Sequence, residues 1–326
     1  MSTTIQEAPR APRGADVLHM PTTGPAAHAV PGRGKPAPAR PAAVRFPAKV
    51  ELFNGVRMTP TTYAEVVDTL IAAAKARQPA ITAFAANHIL SMAATDPAFR
   101  ARMNDFDLVA PDGQPVRWAM NYFHKAGLTD RVYGPNLTWK LCAAAAERGV
   151  SIYLYGSKPE VIEKLKARLL EAFPKLVIAG AESPPFRPLT AEEDAAVVER
   201  INNSGAGLLF IGIGAPKQEN FAHAHKDSIV PVQVCVGAAF DFHAGVKGSA
   251  PEWMQKRGLE WLYRFASEPR RLWKRYLVTN SVYLWMFGKH AAIKAVGLWP
   301  KKPAPEATPA AGALADTDED ELHAAA

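Results

Sequence analysis

The chain has 326 residues, 48% of them hydrophobic, enough for the packed core of one large or two small domains, and it carries a formal net charge of +7. Two cysteines exclude a disulfide framework, and no run of about 18 uninterrupted apolar residues marks a membrane span. The N-terminus lacks the apolar core of a secretory signal, so a reducing, cytoplasmic setting is expected, with Cys142 and Cys235 as buried thiols.

Residues 1–45 are rich in Pro, Ala, Gly and Arg without any period and read as a disordered tail. A helix is expected to open at Thr59-Pro60, with Pro in its first turn, and to reach about Ala76. A strand follows over 80–86, a helix from Asn87 to about Ala94, and a short strand over 107–110. That strand ends in Pro111-Asp112-Gly113, and a helix runs on to about Lys125. An Ala-rich helix after Gly134-Pro135 ends at Arg148, with Gly149 supplying the left-handed cap. Strands over 151–155, 176–181, 207–213 and 230–236 alternate with helices over 159–173, 192–202 and 216 to about 226. Everything between Pro251 and about residue 300 reads as helical, and residues 301–326 as a Pro/Ala-rich, then acidic, solvated tail.

Apolar strands alternating with helices predict an α/β fold: a Rossmann-like, mostly parallel sheet with helices on both faces, plus a helical C-terminal appendage. The expected division is a tail over 1–45, a ligand-binding α/β domain over 46–245, a basic, aromatic appendage over 246–300, and a tail over 301–326. Ligands of such folds bind beyond the carboxyl ends of the strands. That rule nominates the loops around Asn87, Asp112, Gly156 and Gly212 to Gln218.

The turn Gly212-Ile213-Gly214-Ala215-Pro216-Lys217-Gln218-Glu219 leaves a strand and opens a helix, as a phosphate cradle does. Lys217 stands where the third glycine of a dinucleotide fingerprint belongs, and the first turn of a helix favours a cation only beside a bound anion. The competing reading is a tight turn with an exposed lysine. Asp112, held at a strand mouth, suits a general base for an acceptor hydroxyl, against the common use of Asp as a helix N-cap. Asp241 follows the last strand and suits a sugar or ribose hydroxyl. Asp105-Phe106-Asp107 has metal-site spacing but precedes its strand, at the wrong end of the sheet, and no other cluster has ligand spacing, so no metal site is expected.

Between Lys247 and Arg275 eight bases stand against three acids, a focused positive field. Arg264, Arg271 and Arg275 are spaced to form one stripe of a helix, whose guanidinium forks suit diphosphate oxygens, with Arg270 beside them. A solvated face with a Glu260–Arg264 pair is the plainer reading. Nucleic acid is disfavoured, because Trp261, Leu262 and Phe265 form a docking face rather than free stacking platforms. Val278 to Trp299 reads as an interfacial amphipathic helix at most.

Across about residues 50–280 the chain resembles the WecG/TagA/CpsF glycosyltransferases of bacterial surface-polysaccharide synthesis. The resemblance rests on Asn87-His88, Pro111-Asp112-Gly113, Arg131-Val-Tyr-Gly134, the Gly212–Glu219 turn, Ala250-Pro-Glu-Trp253, and Gly258 to Arg264 through Glu268-Pro-Arg270. It implies an inverting, metal-independent enzyme without a cofactor. A hexose or N-acetylhexosamine would pass from a UDP-sugar to an undecaprenyl-diphosphate-linked glycolipid at the cytoplasmic face of the inner membrane, where the enzyme would sit peripherally. A homo-oligomer is compatible with this reading. The resemblance assigns Asp112 as base and Arg264 and Arg271 to charge stabilisation. It gives Asn87, Gly156, Gly212, Gly214, Lys217, Gln218, Glu219, Asp241, Arg270 and Arg275 to substrate binding. Many relatives carry Thr-x-Asn where this chain has Ala85-Ala86-Asn87, which leaves the donor sugar open. Two other classes remain: a nicotinamide-dependent oxidoreductase or epimerase, opposed by the missing third glycine, and a non-catalytic polyanion-binding adaptor.

Overall fold

The computed structural model describes residues 43–299 except Ser249, without the side chains of Glu252, Lys256, Arg271 and Arg275. The expectations for the two tails lie outside the described residues. A small antiparallel hairpin, β1 (Val50–Glu51) and β2 (Arg57–Met58), precedes the main body. Strands β3 (Ile81–Ala85), β4 (Leu108–Pro111), β5 (Ile152–Gly156), β6 (Ile178–Glu182), β7 (Leu208–Gly212) and β8 (Val232–Cys235) form one parallel sheet in the order β4-β3-β8-β7-β5-β6.

Apart from Thr82 and Gln233, strands β3, β4, β5, β7 and β8 are apolar because both faces of the sheet are covered, while edge strand β6 is half-buried and ends in Glu182. The alternation sorts side chains into two cores. Ile81, Ala83, Tyr153, Tyr155, Leu209, Ile211 and Cys235 point into one core. Phe84, Ile152, Leu154, Leu208, Phe210, Val232 and Val234 point into the other. Each fully buried large aliphatic or aromatic side chain contributes roughly 1.5–3 kcal/mol. The second core packs under α1 (Tyr63–Lys75), α5 (Gly134–Arg148), α6 (Pro159–Ala172) and α9 (Ala239–His243). The first packs under α2 (Asn87–Thr95), α3 (Pro97–Asp105), α4 (Gln114–His124), α7 (Ala191–Asn203), α8 (Lys217–Ala224) and part of α12 (Pro269–Ala295). Short helices α10 (Glu252–Lys256) and α11 (Glu260–Ser267) lead into α12.

Local chemistry sets the boundaries. Helix α1 starts after Thr62, whose hydroxyl accepts from the Glu65 N–H, and not at Pro60 as the sequence suggested. That cap contributes about 1 kcal/mol, while Thr59 spends its own hydroxyl on the Val109 N–H beside β4. Helix α3, absent from the sequence expectation, is capped by Asp96 with Pro97 in its first turn. The basic stripe through Arg264, Arg271 and Arg275 does not lie on one helix. Glu268, at φ −138° and ψ 58°, separates α11 from α12 because the following Pro269 disfavours a helical residue before it.

Helix α12 is fastened to the body along one face. Its Leu272, Tyr283 and Met286 are buried, and Tyr283 donates to the Pro115 carbonyl at 2.6 Å. Phe53 meets Tyr283 edge-on with ring centroids 5.6 Å apart. The opposite face exposes Trp273, Leu277, Leu284 and Trp285, the last at 72%. No helix among the described residues is long and apolar enough to cross a membrane.

Candidate active site

A cleft of about 680 Å³ crosses the carboxyl ends of β3, β4, β5, β7 and β8, within the usual range for a small-molecule site. Its floor depends on glycine. Gly156 leaves β5 at φ +142°, and a Cβ there would lie 2.5 Å from the Gly212 carbonyl carbon. Ser157 follows at φ +58°, an uncommon conformation for a residue with a side chain, and its hydroxyl donates to Asp241 Oδ1 at 3.1 Å. Asp241 in turn pairs with Lys247 Nζ at 2.7 Å.

The glycine turn after β7 brings Gly212, Ile213, Gly214 and Ala215 to the cleft wall, with a cis Ala215–Pro216 peptide before α8. Gln218 and Glu219 follow in the first turn, both buried, and Gln218 Nε2 donates to Glu219 Oε1 at 2.9 Å. Burial pushes the Glu219 carboxyl up to about 7, against the stabilising Gln218 hydrogen bond. Gln218 Oε1 and Glu219 Oε2 have no protein partner, so two buried acceptors line the cleft unsatisfied. Each such group costs about 1–3 kcal/mol until a donor reaches it.

Asp112 stands where β4 ends. Its N–H bonds to the Ala85 carbonyl, and the preceding Pro111 carbonyl accepts from the Val132 N–H, so the end of β3 and the segment before α5 hold the turn. Gly113, not Asp112, occupies the cap position of α4, and no side chain makes the capping bond. The carboxylate is therefore not spent on α4; the Gly134 N–H, at the start of α5, reaches it instead. Burial raises its pKa to about 6; Arg131 and Arg264 pull it down and Glu260 pushes it up.

The charges around it form one cluster. Arg131 Nη2 lies 2.6 Å from Glu260 Oε2, and the Tyr133 hydroxyl donates to Glu260 Oε1 at 2.8 Å. Arg264 bonds to the other side of Glu260 and donates to the Tyr133 oxygen at 3.1 Å. Burial opposes charge on Glu260, but Arg264 and Arg131 outweigh it and keep its pKa low. Burial also opposes the charge on Arg264, and there Glu260 and Tyr133 outweigh it. Arg264 lies 5.0 Å over the Phe242 ring, and its Nε has no protein partner. A buried donor with nothing to donate to, in a cleft wall, is an anion-receptive group.

Of the residues the sequence nominated, the cleft gathers Asp112, Gly212, Gly214, Gln218, Glu219, Asp241 and Arg264. Gly156 acts from beneath, by its close approach to Gly212. Asn87 faces a second, smaller cavity and donates to Asn280 Oδ1 of α12 at 2.7 Å. Lys217 and Arg270 are exposed and line neither cavity. Arg271 and Arg275 lie on α12, their side chains outside the described residues. Asp105 and Asp107 sit at the amino ends of the strands, where Asp105 pairs with Lys226 and His223 and Asp107 accepts from the Ile81 N–H. Sequence reasoning missed roles for Arg131, Tyr133, Ser157, Lys158, Lys247 and Glu260. The Arg131-Val-Tyr133 segment and the Glu260–Arg264 pair stood out beforehand, and that pair forms, but nothing joined the two segments or placed Glu260 inside the protein. A shallower depression of about 740 Å³ beside Trp139 and His243 carries none of the glycine turns or raised carboxylates.

A ligand cleft at the carboxyl ends of a parallel sheet, with a glycine turn, a buried carboxylate of raised pKa and arginines beside it, is the arrangement expected of an α/β enzyme's ligand site. Residues 50–295 match the family model described as Glycosyl transferase WecG/TagA/CpsF family. The chain belongs to that family, which places it among glycosyltransferases of cell-surface polysaccharide synthesis.

Proposed function

We propose that the chain transfers a hexose or N-acetylhexosamine from a UDP-sugar to a polyprenyl-diphosphate-linked glycolipid, with inversion at the anomeric carbon. The observation that carries this reading is Asp112: a buried carboxylate that does not cap α4, at the cleft, in the field of Arg264, whose Nε has no protein partner. In the reaction, Asp112 takes the proton of the acceptor hydroxyl as its oxygen bonds to the anomeric carbon. The bond from that carbon to the diphosphate oxygen breaks, and its electron pair leaves with UDP. Arg264 meets the negative charge that develops there, an electrostatic contribution typically of about 3–4 kcal/mol for one well-aimed donor.

The glycine turn and the α8 N-terminus suit the diphosphate, while Gln218 Oε1 and Glu219 Oε2 suit hydroxyl or N–H donors of the nucleotide-sugar. Lys158 and Lys247 add positive charge to the cleft wall. The apolar outer face of α11 and α12 suits peripheral contact with the inner membrane, where a polyprenyl acceptor resides. The test is UDP release on a glycolipid acceptor by Asp112→Asn: near-wild-type turnover would remove the base assignment. A thermal-shift panel of UDP-sugars identifies the donor, because a specific binder raises the midpoint by mass action.

A further inference from the structure

Glu219, in the first turn of α8, is 2% exposed, and one of its carboxyl oxygens is bare. Oε1 accepts from Gln218 Nε2 at 2.9 Å, while the buried Oε2 meets no protein donor. Among the described residues no cation pairs with it. Lys247 is held by Asp241 and Arg264 by Glu260, and Lys217, next to it in the chain, is exposed. Burial with a bare oxygen and no counterion favours the acid over the carboxylate. The proton then belongs on Oε2, because Oε1 already receives the amide hydrogen. In that form Oε2 still accepts from a ligand hydroxyl, and it also offers a hydrogen of its own.

The surroundings say what takes that hydrogen. Glu219 lines the large cleft beside the glycine turn, at the N-terminus of α8, where backbone N–H groups favour a diphosphate. An ionised Glu219 would set a second negative charge against the ligand at the same helix end, and like charges so close disfavour one another. Un-ionised, the group instead gives the anion a donor, in a hydrogen bond of the stronger, charge-assisted kind. Burial pushes the free carboxyl up to about 7, against the pull of the Gln218 amide and of its own N–H. Around the cleft stand His88 of α2, Asp112 after β4, Lys158 before α6, Asp241 of α9 and Arg264 of α11. The Cys235 thiol of β8 also lines it, and burial keeps that group un-ionised as well. At the far end of α8, Asp105 of α3 holds His223 and Lys226, and Asp194 of α7 holds His225.

We propose that Glu219 binds the donor as an un-ionised acid, its Oε2 hydrogen bonded to an oxygen of the diphosphate. The proton is taken from solvent on binding and returned on release, so donor affinity depends on it and turnover at saturating donor does not. The inference rests on the nucleotide-sugar reading, and a second probe, pyrophosphate, separates the two. The test is calorimetry on the full chain between pH 7 and 9, where the terminal phosphate of UDP is already ionised, its second pKa being about 6. Wild-type affinity for UDP should fall by up to about tenfold per pH unit. Binding at pH 8 should take up roughly one proton, read from buffers of different ionisation enthalpy. Glu219→Gln, whose amide donates at every pH, should show neither the fall nor the uptake. Pyrophosphate titrates in this range itself, so there the ratio of wild-type to variant affinity should carry the fall. UDP binding that is independent of pH, or a variant that repeats the wild-type fall, overturns the acid and leaves the transferase reading standing. If the variant does not fold, proton uptake by the wild-type chain decides: its absence overturns the acid and its presence upholds it. Linked binding of pyrophosphate without binding of UDP overturns the nucleotide and upholds the acid, and binding of neither overturns both.

Discussion

Arg131 Nη2 and Glu260 Oε2 lie 2.6 Å apart, although 129 residues separate them in the chain. Through that contact the C-terminal arm is fixed to the rim that holds Asp112. The same carboxylate binds Tyr133 and Arg264, so one residue of α11 orders three groups of the site.

Replacing Glu260 with Gln should therefore loosen α11 without unfolding the sheet. Removing one partner of a buried ion pair costs about 3–5 kcal/mol, and here the loss is local to the arm. Hydrogen exchange of the α11 amides is expected to speed up, with the sheet amides unaffected. The acid limb of the rate profile should also move to lower pH, because a negative charge that raises the Asp112 pKa is gone. An unchanged limb together with slow α11 exchange would contradict the role given to Glu260.

Asp112 makes activity and stability oppose one another. The base is active as carboxylate, so turnover should rise through about pH 6 and level off above it. The folded-state pKa lies above the unfolded value, so protonated Asp112 favours the fold. That contribution is complete below about pH 4 and is lost as pH rises through about 6. At pH 8 the ionised group costs up to about 3 kcal/mol. Asp112→Asn should then be inactive yet more resistant to urea at pH 8, with little difference near pH 4. A destabilised variant at pH 8 would contradict this account.

Gly156→Ala tests the cleft floor. A Cβ 2.5 Å from the Gly212 carbonyl carbon cannot be accommodated without parting β5 from β7 at their exits, and φ of +142° adds strain. The expected loss is at least about 2 kcal/mol in urea denaturation, with weakened UDP binding. Gly205→Ala serves as the comparison: it shares a positive φ, but nothing lies within 4 Å of its Cβ. It should keep UDP affinity.

The exposed apolar face of α12 makes a prediction about membranes. Leu277 is 63% and Trp285 72% exposed, away from the face that packs on the body. Changing both to Glu should lower co-flotation with anionic vesicles by about tenfold or more, since burying each side chain contributes roughly 1.5–3 kcal/mol. Secondary structure by circular dichroism should not change. Vesicle binding equal to that of the wild-type chain would remove α12 as the contact.

The sequence by itself determined what depends on neighbours a few residues away. Strands β3 to β8 were legible because each is a short apolar run bounded by turn residues, and Gly149 marked the end of α5 as the left-handed cap it is. The glycine turn before α8 and the strand-end position of Asp112 were legible for the same reason. At the start of α1 the sequence misled: Pro60 pointed to the first turn, but Thr62 makes the capping bond two residues later. Only the tertiary structure decided which distant polar side chains meet. Arg131 and Glu260, Asn87 and Asn280, and Ser157 and Asp241 leave no periodic trace, because side chains so far apart in the chain pair only after the sheet and α12 have packed. The tertiary structure also removed Lys217 from the cleft, since the first turn of α8 turns Gln218 and Glu219 inward and leaves the lysine on the solvent side.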